Sequence, residues 1–288
     1  MTTYLIFTLS LFLGVSKNLL PKFSKGDFSK ISNIMSANII TSVSALLIFS
    51  IQGLKFSLFL DLRFVLMAAL YGLFTLGSQS LYIKAVKDGP VSICSMIYAF
   101  CFLIPTIIMA IYFKEEISIM WILGIALVIV AVILVAFKGE SGQSHSKKYL
   151  IFVFGAMISA GSVGILQKFF GHIYGTEVFD EYLFLSFSFM LLYSVIGKLL
   201  TSKDKEKTAC SKGFYVICIG LALSNVIANK LNLYLSAVLP ATLFFPSING
   251  LTVFLSAVSS RFAFKEKLNI MGWIGILLGI TAIVMIAI

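Results

Sequence analysis

The sequence predicts an all-α integral membrane protein, with ten transmembrane helices arranged as two inverted five-helix repeats. Three observations carry that expectation. The 288-residue chain is 59% apolar and only 12% charged, with a mean hydropathy of +1.03, where a soluble domain carries about 25% charged residues. Its apolar residues gather into ten stretches close to the roughly 20 residues that a bilayer-spanning helix needs. Finally, residues 113–137 and 264–288 are one segment written twice. FKEEISIMWILGIALVIVAVILVAF and FKEKLNIMGWIGILLGITAIVMIAI align without a gap at an offset of 151, with 11 of 25 positions identical.

The first stretch, 3–20, has no basic leader and no A-x-A-like cleavage site before Ser16, Lys17 and Asn18, so it is expected to stay as a helix. The second, 31–51, is apolar and long enough to span. The third, 63–86, carries Thr75, Ser78, Gln79 and Tyr82, spaced to share one helix face. Ser92, Ser95 and Tyr98 lie in the fourth, 90–112, together with Pro105. The fifth, 119–137, is almost free of polar side chains and carries Gly124 and Ala131. KGESGQSHSKK (138–148) then divides the chain into a first repeat, 1–137, and a second, 149–288.

In the second half, the sixth stretch (149–170) ends near LQKF (166–169), which matches LPKF (20–23) after the first. The seventh is 180–200 and the eighth is 213–236. LYLSAV (233–238) in the eighth matches LYIKAV (81–86) in the third, extending the repeat. The ninth, 240–262, holds Ser247, Asn249 and Thr252, and its Pro240 and Pro246, with Pro105, are expected to kink spans four and nine as hinges. The tenth, 270–288, spaces Gly272, Gly275, Gly279 and Ala282 along one face, as close helix packing in lipid requires. Uninterrupted apolar runs exclude a β-barrel, whose strands alternate apolar and polar residues.

Five spans per repeat is an odd number, so the second copy enters the membrane upside down. The corner charges agree: Phe113-Lys114-Glu115-Glu116 is net negative, and Arg261 with Phe264-Lys265-Glu266-Lys267 is net positive. The net charge of +10 is dispersed over short loops without a basic stripe, which argues against nucleic acid and reports orientation instead. Lys and Arg number 17 in or beside the odd-numbered connections and 5 elsewhere, placing the odd connections in the cytoplasm.

All twelve acidic residues fall in loops or at span ends, and neither histidine, His145 or His172, lies at mid-span. An intramembrane carboxylate relay is therefore not expected. The four cysteines have no metal-ligand spacing. No enzyme signature is present, and neither a cofactor nor a metal is implied.

Lys230 stands inside the eighth span, where a charge costs about 2.5–3.5 kcal/mol and faces a cavity or a partner. Asn225, Asn229, Asn232 and Ser236 form a polar stripe beside it, and Tyr234 follows Lys230 by one turn. A cation among amide and phenol donors suits an anionic or carboxylate-bearing solute. Candidate solute-binding residues are Lys17, Ser78, Gln79, Tyr82, Tyr98, Asn225, Asn229, Lys230, Tyr234 and Asn249. In the repeat register Lys230 corresponds to Ser78, so the two halves differ at that position.

Ten short-looped spans, two inverted halves and an F-K-E corner leading into a glycine-spaced last helix resemble the drug/metabolite transporter superfamily, in its EamA-like branch. The resemblance covers essentially the whole chain. It implies alternating access around a central cavity lined by spans one, three, four, six, eight and nine, with amino acids, other metabolites or nucleotide sugars as solutes. Small multidrug relatives place an essential glutamate in their first span. Here that span offers Ser16, Lys17 and Asn18, which disfavours export of polyaromatic cations. Ala228-Asn229-Lys230 is similar, distantly, to the asparagine–lysine pair of nucleotide-sugar members.

The expected function is secondary transport of a small metabolite, an amino acid or organic anion, across the cell (plasma or inner) membrane as a multi-pass protein. The expected partners are a small-molecule solute and the lipid bilayer, with monomer and homodimer both open. A non-transporting membrane scaffold or a lipid flippase of the same fold is the alternative.

Overall fold

The computed structural model describes residues 2–20, 23, 31–51, 54–88, 94, 97–136, 148–201, 212–264 and 270–287. Among them are ten helices of eleven residues or more: α1 (Thr2–Leu19), α2 (Ile31–Ser50), α3 (Leu62–Asp88), α4 (Leu103–Phe113), α5 (Ile119–Ala136), α6 (Lys148–Tyr174), α7 (Phe179–Thr201), α8 (Lys212–Val238), α9 (Ala241–Phe264) and α10 (Ile270–Ala287). A 3₁₀ turn at Phe100–Phe102 leads into α4. No strand occurs among the described residues. Seven helices (α2, α3 and α6–α10) are long and apolar enough to cross a membrane, and three shorter apolar ones cover Thr3–Leu19, Ile97–Phe113 and Ile119–Leu134. The chain is thus a helical protein of multi-pass membrane character.

The outer faces explain why a bilayer suits it. Met120, Ile122, Leu123 and Val130 on α5, with Met271, Ile274, Leu277, Ile280 and Val284 on α10, are all exposed. So large a continuous apolar surface is unfavourable in water and matched by lipid tails. Because lipid is as apolar as leucine, the helices must be held by close contact and by hydrogen bonds instead. Gly124 of α5 supplies such contact. A Cβ there would stand 2.7 Å from Ile286 Cγ1 and 3.0 Å from the Ala282 carbonyl oxygen of α10. The start of α5 therefore meets the end of α10, and the two helices run antiparallel. Gly72 of α3 meets the Ser186 carbonyl oxygen of α7 at 2.6 Å in the same sense.

Helix pairing follows a simple pattern. α5 packs on α10, α2 on α7, and α4 on α9; α3 lies on α6 and α1 on α8; α3 also touches α7, as α2 touches α8. Buried apolar side chains form two main clusters. One joins α4, α5, α9 and α10 around Phe102, Met109, Phe244 and Phe254. The other joins α2, α3, α6 and α7 around Phe49, Phe64, Phe170 and Tyr182, with the Phe170 and Tyr182 rings stacked at 3.6 Å.

The prolines behave differently from the hinge expectation. Pro240 precedes α9, accepting the first helical N–H bonds from Leu243 and Phe244, so it starts a helix and does not kink one. Pro105 lies within the helical stretch Ile97–Phe113, just after its 3₁₀ turn at Phe100–Phe102. Pro246 is interior to α9. A proline leaves the carbonyl four residues back without its helical donor. That carbonyl is Thr242, and the Trp121 indole Nε1–H donates to it at 3.0 Å. The helix break is thereby satisfied from α5.

Candidate functional site

The helices have two ends. At one, here called the corner end, α4, α6 and α8 finish while α3, α5, α7 and α9 begin. The F-K-E corner sits there and is now explained residue by residue. Lys114 takes a left-handed conformation, φ 51°, which stops α4 as C-terminal caps do. The Glu115 N–H then bonds the Ala110 carbonyl at 3.0 Å, turning the Glu115 side chain back across the bundle. Its carboxylate accepts from Ala241 N–H (2.7 Å), Thr242 N–H (2.8 Å) and Thr242 Oγ1 (2.8 Å). Two orphan donors of α9 are thus capped by a charge from the first half, which the positive end of the α9 dipole favours.

Three further contacts join the halves at this end. Tyr174 OH donates to Asp61 Oδ2 at 2.6 Å, and that bond, followed by the Arg63 N–H, holds the Asp61 carboxyl below the usual range. Lys55 N–H donates to Glu181 Oε1 at 3.2 Å. The Trp121 bond to Thr242 is the third. Lys168 of α6 donates to the Leu239 carbonyl at 2.5 Å and lies over the Phe113 ring at 5.5 Å. A cleft of ≈ 310 Å³ opens beside it, lined by Glu115, His172 and Pro240 among others.

Lys230 belongs to this end as well. Its Nζ lies 2.6 Å from Asp180 Oδ1, in a pair whose side chains are 38% and 23% exposed. Asp180 opens α7, so Lys230 meets a carboxylate near the bundle's end. An acid absent from its own helix is supplied by the neighbouring one.

The asparagine stripe is engaged between helices. Asn229 accepts from Tyr71 OH of α3 (2.6 Å) and donates to Asn225 O (2.7 Å) and Oδ1 (3.0 Å). Gln167 of α6 completes the chain, donating to Tyr71 OH at 3.1 Å. Asn232 accepts from Ser10 of α1 at 2.5 Å, and Ser236 bonds the Leu233 carbonyl. Asn249 turns its amide to the Phe245 carbonyl at 2.9 Å. Tyr234 packs, partly buried, on the α2–α3–α6–α7 cluster. These groups bind helix to helix, the role that polar side chains in membranes commonly take.

A different set converges in the interior toward the opposite end. Lys17, two residues before the end of α1, is exposed. Among the described residues its ionisable neighbour is the thiol of Cys101. Cys101 in turn neighbours Tyr98. Tyr98 OH and Ser78 Oγ share a hydrogen bond at 2.8 Å, and the Tyr82 and Tyr98 rings stand 4.5 Å apart. Asn18 donates to Ser256 Oγ of α9 at 3.1 Å, and a Cβ added at Gly14 would stand 3.2 Å from the Thr252 side chain, so this glycine seats α1 closely on α9. Gln79 is half-buried beside Ser78. Ser92 and Ser95 lie outside the described residues.

Of the predicted set, then, the structure gathers Lys17, Ser78, Tyr82 and Tyr98 in one place and sends Lys230 to another. Sequence reasoning missed Tyr71 and Gln167, single polar residues in apolar stretches with no periodic signal. It also missed Glu115 as a cap, although its repeated F-K-E corner was visible. Among the described residues no three His, Cys, Asp or Glu side chains converge as metal ligands.

No family model and no curated protein matches the chain. Its architecture has precedent. Twenty-eight chains of solved structures match it. One, a crystal structure described only as that of a protein, superposes on 99% of this chain and 96% of its own, with a TM-score of 0.76 at 13% identity. At that identity the likeness concerns the fold alone.

Proposed function

We propose that the protein is a secondary transporter of a small metabolite, an amino acid or organic anion, built as two inverted five-helix repeats like the drug/metabolite superfamily's EamA-like branch. It works in the cell membrane by alternating access. The packing supports the repeat: exchanging each helix for the one five places away maps α3 on α6 to α8 on α1, and α3 on α7 to α8 on α2. One pair of helices related in this way, α5 and α10, runs antiparallel, as inversion requires. That is the arrangement from which transporters obtain two access states.

One observation carries the functional reading. The corner end is bridged between halves by Glu115, Tyr174 and Lys55. A bundle held shut at one end by contacts between its two halves fits one of the two states alternating access requires. The test is uptake of radiolabelled organic anions and amino acids into proteoliposomes. Saturable uptake above protein-free vesicles is expected for at least one solute. None across the set refutes the transport reading and leaves a scaffold or lipid-handling role.

A further inference from the structure

We infer that the cleft beside Glu115 and Lys168 is a binding site for a zwitterionic amino acid with an aliphatic side chain, its carboxylate on Lys168 and its ammonium on Glu115. The inference deepens the transport reading by naming the solute class, and it rests on that reading for the claim that the bound solute is also carried.

The cleft has a volume of ≈ 310 Å³, near the lower end of the roughly 300–1,000 Å³ of small-molecule sites. It lies where α4, α6 and α8 end and α9 begins, and both Lys168 and Glu115 line it. Lys168 is 8% exposed, and Glu115 is the charge that acts on it. Each of the two is only partly used. An ammonium carries three donors, and Lys168 Nζ gives one, to the Leu239 carbonyl. A carboxylate has about four lone-pair sites. Glu115 Oε2 accepts from Thr242 N–H and Thr242 Oγ1, whereas Oε1 accepts from Ala241 N–H alone. One cleft thus holds spare donors on a cation and a spare acceptor on Oε1. His172 adds an exposed imidazole to its lining, edge-on to Phe113 at 4.8 Å.

That pairing sets the class of solute. A buried charge is costly unless it is paired and hydrogen-bonded. An organic monoanion would satisfy Lys168 but bring a second negative charge beside Glu115. A primary amine would satisfy Glu115 but bring a second positive charge beside Lys168. An α-amino acid carries both groups on one carbon, so it meets both residues and leaves the charge balance of the cleft unchanged. Phe113, Val238 and Pro240 make the rest of the wall apolar, which suits an aliphatic side chain and not a charged one. Because Oε1 also caps Ala241, a solute here sits on a contact that bridges the two halves.

The test uses L-leucine and its two singly charged analogues, 4-methylpentanoate and 3-methylbutylamine, with L-alanine as a smaller zwitterion. Equilibrium binding of labelled L-leucine and L-alanine, and displacement of the leucine by the analogues, are measured on the full-length protein in phosphatidylcholine nanodiscs. L-Leucine is expected to bind about tenfold tighter than either analogue, and Lys168→Met to weaken it by about tenfold or more. Glu115→Gln keeps an acceptor and removes the charge. It should weaken L-leucine and narrow its advantage over 4-methylpentanoate to about threefold or less, a change of selectivity that a purely structural role would not produce. If Lys168→Met does not elute as a folded monodisperse species, the selectivity of Glu115→Gln decides. Binding of 4-methylpentanoate as tight as that of L-leucine, full binding by Lys168→Met, an unaltered preference in Glu115→Gln, or binding of neither amino acid overturns the inference. Binding that depends on Lys168 and Glu115 without vesicle uptake leaves this site standing and refutes transport. Amino-acid uptake indifferent to both residues does the reverse.

Discussion

Removing the Glu115 side chain should open the corner end. The carboxylate accepts three hydrogen bonds from the first turn of α9, at 2.7, 2.8 and 2.8 Å, and two of these cap backbone donors with no helical partner. Loss of an N-cap costs about 0.5–2 kcal/mol, and hydrogen bonds to a charged group are worth about 1.5–3 kcal/mol. The groups regain water when the end opens, so Glu115→Ala should favour opening by about 2–3 kcal/mol, a roughly 30- to 150-fold shift in population. Glu115→Gln keeps an acceptor and loses the charge, and should shift it by about half that free energy. Hydrogen–deuterium exchange reads the shift directly. Amides Ala241 and Thr242 should exchange faster by that factor in Glu115→Ala, while α7 around Phe187 and Met190 keeps its protection. Unchanged exchange at Ala241 and Thr242 would refute the capping role. Uniform acceleration across α7 would show that the substitution unfolds the bundle and not its end.

Further outcomes follow from other contacts. Gly72→Ala should lower the melting temperature more than Gly124→Ala, because the new Cβ meets a backbone oxygen at 2.6 Å in the first case, and Ile286 Cγ1 at 2.7 Å with the nearest backbone oxygen at 3.0 Å in the second, overpacking being worth about 1–3 kcal/mol. Asp61 is held below its ordinary 3.8 chiefly by Tyr174, so its contribution is complete above that value and is lost as pH falls through the lower folded value. Melting curves of wild type and Asp61→Asn should accordingly differ at pH 7 and converge in strong acid. Lys230→Met should destabilise by about 1 kcal/mol or less, since the pair with Asp180 is partly exposed and screened; a much larger loss in chemical denaturation would show that the pair is structurally essential.

The helices were legible because bilayer length and apolar runs are properties of contiguous sequence. The span read at 149–170 runs on to Tyr174, and the one at 63–86 to Asp88, through polar residues that tertiary contacts keep helical. The site was legible only in part. Depth along its own helix marked Lys230 as buried, yet the start of α7 brings Asp180 to it. Lys17 lies two residues from the end of α1, which reads as a snorkelling position, but α9 meets that end through Ser256. A sequence shows how far a residue lies from its helix terminus and not which other helices enclose that terminus. The asparagine stripe shows the same limit: its spacing located a shared face, while Tyr71 and Gln167 decided that the face is partly filled by protein. Gly124 was recognised as a packing residue from its repeat at Gly275, and Gly279 from its spacing along α10, but only the fold shows that the first admits α10 and the second admits the Phe254 ring of α9.

The central claim is that the protein carries small organic solutes across a bilayer. Uptake of labelled organic anions and amino acids into proteoliposomes, compared with protein-free vesicles at matched lipid amounts, tests it most directly. Saturable uptake of at least one solute is expected. No uptake above protein-free vesicles for any of them would contradict it.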